Sequence, residues 1–178
     1  IHDNLLDLSH LGYVHLNTIG GNAKLHMNAE TKVESEGDFV KVVRYMPDSV
    51  PPPTYTAAYP FKGNVDRWQE IEFRVSHLLI WTGAVDKDTD ALDDPERGGF
   101  HMRGFHGITP ETENSTHYFF AHPHNFSIDQ PEVTRSIHQS VVSAFDEDRA
   151  IITAQQRNLA LDPDFKMVPF GVDAALNQ

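Results

Sequence analysis

One long run of helical periodicity closes this sequence, and it constrains what the rest of the chain must do. From Pro131 to about Asn158 apolar residues recur at helical spacing, with Pro131 suited to a first turn and Asp129 placed to cap it. A helix that long needs a partner for its apolar face. The preceding residues supply strands. TKVES and DFVKVVRYM within 31–46 read as a hairpin turning at Glu36-Gly37. Residues 67–85 form one or two strands buried on at least one face, through Trp68, Ile71, Phe73, Val75, Leu78, Ile80 and Trp81. Residues 100–109 and 116–126 read as a second hairpin turned by PETENS.

Between these runs the sequence breaks. Residues 47–66 contain Pro47, Pro51-Pro52-Pro53, Pro60 and Gly63, and predict an irregular loop or flap. Residues 86–99 predict an acidic, turn-rich loop, and the tail after Leu161 an irregular segment with at most a short final turn. Residues 3 to about 14 read as an opening helix, capped by Asp3 or Asn4. Helix, antiparallel strands, then one long helix predicts an α+β fold: a sheet curved around the C-terminal helix, with an apolar cavity between. At 178 residues and 39% hydrophobic content, a single domain spanning 1–178 is expected.

Two places in this pattern carry chemistry. On a helical wheel of about 100° per residue, Ile137, Val141, Phe145, Ile152 and Gln155 form one stripe, and Asp148 falls inside it. Asp146, Glu147 and Arg149 point elsewhere. A carboxylate on an apolar stripe must be neutralised, paired with an arginine or bound to a cation. At the other end, IHDNLLDLSHLGYVH places His10 and His15 among Leu5, Leu6, Leu8, Leu11 and Val14. Two neutral imidazoles and one carboxylate form the facial triad of non-haem Fe(II) oxygenases, which leaves coordination positions open. On a regular helix His10 and His15 would diverge by about 140°, so the helix must end or distort between them, and Gly12 would ease this. Zinc hydrolases use a spacing of four with a Glu between, which this segment lacks. Asp7, three residues before His10, is placed to accept a hydrogen bond from its second nitrogen. Asn4 is a similar neighbour.

Composition removes other classes. A net charge of −12 argues against nucleic acid or an anionic membrane as partner. With no cysteine, the chain has no disulfide, thiolate metal site or cysteine-bound iron–sulfur cluster of its own. No apolar run reaches membrane-span length and no signal-peptide pattern is present, so the expectation is a cytoplasmic protein. Because the chain opens at Ile1 inside a patterned segment, a preceding portion is expected.

The motif DNLLDLSHLGYVH resembles that of the catalytic domain of Rieske non-haem iron oxygenases, nearest the vanillate and dicamba O-demethylase group. The resemblance continues through HMRGFHGITPETENSTHYFFAHPHNFSIDQPE and EDRAIITAQQR, in the family's order, over most of residues 1–158. It implies a helix-grip sheet and Fe(II) held by His10, His15 and Asp148. It also implies that Asp7 links the iron to the Rieske centre of a neighbouring subunit and that Asn4 lies near the iron. His106 and Ile80 would line the substrate pocket. An aromatic substrate and O2, a reductase or ferredoxin as electron donor, and a homotrimer are implied as well. The family's [2Fe–2S] cluster sits in an N-terminal domain on Cys-x-His-type segments that this chain lacks, so the chain resembles the catalytic half of a longer protein, inactive alone with NADH. A metal-free helix-grip domain binding an apolar ligand, and a zinc hydrolase using the same ligands, are the alternatives. Of the remaining histidines, His101, His117, His122 and His124 read as ordinary strand residues, since no acid completes a metal-like spacing.

Overall fold

The computed structural model describes residues 1–178 except 90, 91, 93, 95, 167, 169–173, 177 and 178. Three short helices come first: α1 His2–Leu6, α2 Leu11–Val14 and α3 Ala23–Asn28. They lead into β1 Glu30–Glu36 and β2 Phe39–Ser49, then α4 Pro53–Ala58. Four further strands follow, β3 Val65–Arg74, β4 His77–Asp86, β5 Phe100–Thr112 and β6 Ser115–Ala121, and α5 Pro131–Leu161 closes the fold. The six strands form one antiparallel meander in the order β1-β2-β3-β4-β5-β6. The α+β fold expected from the element order is the one observed.

Alternation along the strands gives the sheet one buried face, which carries two apolar clusters. Val42, Ile71, Leu78 and Ile108 alternate onto one side and join Leu6, Leu8 and Leu11 in one apolar cluster. A second cluster joins Tyr55 of α4, Phe100, Met102, Phe126 and the α5 residues Ile137 and Val141. Phe100 lies stacked between Tyr55 and Phe126, at centroid distances of 4.2 and 4.4 Å.

Several boundaries differ from the sequence expectation. The opening helix is two pieces, because Asp7 leaves α1 in an extended conformation and His10 starts α2. The break falls before His10 rather than at Gly12. Gly12 serves packing instead: a Cβ there would lie 2.1 Å from the Ala23 Cα. β2 runs through Pro47 to Ser49, its register against β3 slipping between Met46 and Ser49, and a proline is tolerated at such an irregularity. The proline-rich stretch is not wholly irregular, since Pro53 begins α4. The second hairpin turns only at Glu113-Asn114, and residues 122–126 leave the strand, keeping one bridge from His124 to Met102. The residue before α5 is Gln130, with no side-chain cap from Asp129. In the tail, residues 174–176 form a turn and Ala175 joins the first apolar cluster. Pro169 and Gly171 lie outside the described residues.

Candidate metal centre

α2 is a single four-residue turn, with His10 immediately before it and His15 immediately after. Because neither histidine lies within a regular helix, the five-residue spacing does not drive them apart. Their Nε2 atoms lie 3.2 Å from each other. α5 brings Asp148 to the same point, its Oδ1 3.0 Å from His15 Nε2 and 3.5 Å from His10 Nε2. Among the described residues this is the one cluster of three or more histidines and acids arranged to hold a metal ion. Ligands about 2.1 Å from a metal and at right angles are about 3.0 Å apart, so the three atoms fit one face of an octahedron.

The protonation pattern strengthens the case. Nδ1 of His15 donates to Glu147 Oε2 at 2.8 Å, and Nδ1 of His10 donates to the main-chain carbonyl of Asp7. Both donations leave the neutral rings with lone pairs on Nε2. In that tautomer two lone pairs and a carboxylate oxygen converge, an arrangement suited to a cation; without one, a proton on Nε2 of His15 bridges to Asp148 instead. Burial alone would lower the His15 pKa, yet hydrogen bonds and charge from Asp148 and Glu147 outweigh it and raise the value. Burial likewise pushes Asp148 up, but His10, His15 and Asn4 together hold it well below the usual carboxylate range. Asn4 Nδ2 donates to Asp148 Oδ1 at 3.0 Å, which makes it a neighbour of the centre.

Two sequence expectations are corrected here. Asp7 supports His10 through its main-chain carbonyl, while its carboxylate accepts from Ser9 N and Ser9 Oγ at 2.8 and 2.6 Å. Glu147 does not point away: it bonds both His15 and Thr18 Oγ1, the latter at 2.9 Å. The stripe on α5 is also redistributed. Ile137, Val141, Ala144 and Asp148 are the buried positions, whereas Gln155 is exposed.

A cavity of about 100 Å³, partly open to solvent, lies beside the three ligands and is lined by residues of both apolar clusters. Ile80 and His106, singled out from sequence, both line it. His122, read from sequence as an ordinary strand residue, lies just past the end of β6 and lines it too, its ring centroid 5.1 Å from that of His106. His106 Nδ1 lies 2.6 Å from the Tyr118 hydroxyl, and its Nε2 is buried without a partner. Burial, with a smaller effect of His122, depresses His106 to about 3, and burial, with a smaller effect of His138, depresses His122 to about 4. Both are neutral hydrogen-bonding groups at physiological pH.

Residues 1–178 match the family described as vanillate O-demethylase oxygenase C-terminal domain. A putative toluene-4-sulfonate monooxygenase system iron-sulfur subunit of Comamonas testosteroni is 37% identical, over 99% of this chain and 52% of that protein. A vanillate O-demethylase oxygenase subunit of Pseudomonas sp. (strain HR199 / DSM 7063) is 35% identical, over 97% and 50%. The crystal structure of dicamba monooxygenase bound to 3,6-dichlorosalicylic acid superposes with a TM-score of 0.82 at 27% identity, covering 97% of this chain and 50% of that one. The chain thus spans about half the length of the curated relatives it matches.

Proposed function

Because this chain belongs to the vanillate O-demethylase oxygenase C-terminal domain family, we propose that it is the catalytic domain of a Rieske-type oxygenase, acting in the O2-dependent hydroxylation or O-demethylation of an aromatic compound. The observation that carries the reading is the convergence of His10 Nε2, His15 Nε2 and Asp148 Oδ1 with both Nδ1 atoms already committed to hydrogen bonds. These three residues would hold Fe(II), which supplies activation of dioxygen at its remaining positions. Ile80 and the other apolar walls receive an aromatic ring and exclude water. His106 is placed to hydrogen-bond a polar substituent through its unpartnered Nε2. Asn4 fixes the Asp148 carboxylate, and Glu147 fixes the His15 tautomer.

The wider system follows the family resemblance. The relatives named as an iron-sulfur subunit of a monooxygenase system and as an oxygenase subunit support a reductase or ferredoxin as electron donor and a [2Fe–2S] cluster carried outside this chain. Asp7, beside the His10 turn, is assigned the link to that cluster in a homotrimer located in the cytoplasm. No described helix is long and apolar enough to cross a membrane.

Anaerobic loading with Fe(II), iron analysis and nitric-oxide EPR test the metal assignment. Near-stoichiometric iron with an Fe–NO signal is expected, and both should be lost in His15→Ala and Asp148→Ala. Iron bound unchanged in those variants would sink the assignment. Zinc as the metal retained after anaerobic purification would favour the hydrolase reading.

A further inference from the structure

Behind the histidine segment the sheet carries two buried arginines. Arg44 on β2 and Arg67 on β3 are 2% and 1% exposed. Among the described residues neither lies within ion-pair distance of a carboxylate, whereas the other buried arginine, Arg97, meets Glu70 at 2.9 Å. Burying a guanidinium is costly unless its donors are used. Here several go to main-chain carbonyls, while Arg67 Nε is buried without a partner. Arg44 donates to the carbonyls of Leu8, at 3.3 Å, and His26, and reaches Gln69 Oε1 at 3.4 Å. Arg67 donates to the Gly20 carbonyl at 3.4 Å and lies over the Tyr55 ring at 5.1 Å. His26, fully buried, donates from Nε2 to the same Gly20 carbonyl at 3.0 Å.

The carbonyls are not arbitrary. Leu8 sits in the turn between α1 and His10, next to the Asp7 carbonyl that receives His10 Nδ1. Gly20 donates its N–H to the His15 carbonyl at 3.1 Å. A Cβ at Gly20 would lie 1.8 Å from the Leu11 carbonyl oxygen, so the chain approaches α2 as closely as backbone allows. Residues 7–29 enter no strand ladder. Besides these contacts, the segment bearing both histidines is held by short helices, a few leucines and the bonds of His15 and Thr18 to Glu147. Carbonyl acceptors also differ from a carboxylate in one useful way: they do not ionise, and they would not compete as a fourth anionic ligand beside the site.

We propose that Arg44 and Arg67 are positioning residues for the metal centre, Arg44 bracing His10 through Leu8 and Arg67 bracing His15 through Gly20. The proposal rests on the metal reading above. Co(II) titration of the chain, followed by its visible d–d bands, tests it. The wild type should bind Co(II) in a 1:1 complex. Arg44→Met and Arg67→Met should each weaken binding at least tenfold and shift the bands. Arg44→Lys and Arg67→Lys, which keep the charge and one or more donors, should recover part of the affinity. The exposed Arg74→Met serves as the control and should match the wild type. Wild-type affinity and bands in both methionine variants would overturn the proposal while leaving the metal reading intact. Failure of the wild type to bind Co(II) would bring down both. If the methionine variants do not fold, the lysine variants decide: shifted bands with unchanged far-UV circular dichroism support bracing, and wild-type bands overturn it.

Discussion

Glu147 has no claim to the metal, yet its carboxylate sets which nitrogen of His15 faces it. Glu147→Ala should lower Fe(II) or Co(II) affinity by about 10- to 100-fold, measured by competition with a chelator, with little loss of fold. Acidity enters the site in another way. His26, His106 and His122 are held neutral by burial, at about 4, 3 and 4. Unfolding returns each to an ordinary histidine near 6.5, so the unfolded chain binds more protons below that value. Stability is therefore full above about pH 6.5 and falls as pH drops toward 4, by about 1.4 kcal/mol per pH unit for each histidine kept neutral. His15, raised in the metal-free protein, has the opposite sign, contributing stability that is lost as pH rises through its folded value. Chemical denaturation of the metal-loaded protein at pH 7 and pH 5 should show the fall, and His106→Gln with His122→Gln should flatten it. His10, His15 and Asp148 were legible in the sequence because each is a polar residue placed where its neighbours are apolar. Glu147 was not: a helical wheel gives the direction of a Cβ, whereas a glutamate reaches around the helix from a neighbouring position. The Asp7 carbonyl could not be read either, since every residue has one.

α2 is the element on which the centre depends most. It is one turn long, too short to persist by its own hydrogen bonds, and it is held by packing on α3. Gly12 permits that packing, and a side chain there would strike Ala23. Gly12→Ala should separate α2 from α3 and lower metal affinity, while the far-UV signal of the sheet persists. Circular dichroism with metal titration checks both. Phe100→Ala should do the reverse. It removes the middle ring of the Tyr55–Phe100–Phe126 stack, away from the ligands, and should cost about 3–5 kcal/mol of stability in denaturant unfolding. The strands were legible from alternation and β-branched residues. Their ends were not, because register slip at Pro47 and extension through Pro110 depend on the neighbouring strand rather than on local sequence. The helix break at Asp7 was hidden for a related reason: leucines at helical spacing also suit two short helices that meet one apolar cluster.

At the scale of the whole molecule, the cavity divides two apolar clusters, one holding the leucines around the histidine segment and one packed under α4 and α5. His10 and His15 belong to the first side, and Asp148 to the helix of the second. A bound metal would therefore join the two halves. Hydrogen exchange should show protection of α2 and of the middle of α5 rising together on metal addition; protection confined to α2 would contradict this coupling. The same arrangement has a consequence for biosynthesis. His15 leaves the ribosome long before Asp148, and the sheet that orients both lies between them in the chain. A nascent chain holding only the two histidines offers a weak, incomplete chelate. Secure capture must wait until the last helix has emerged and closed over the sheet, so metal content would mark finished molecules rather than chains still being made.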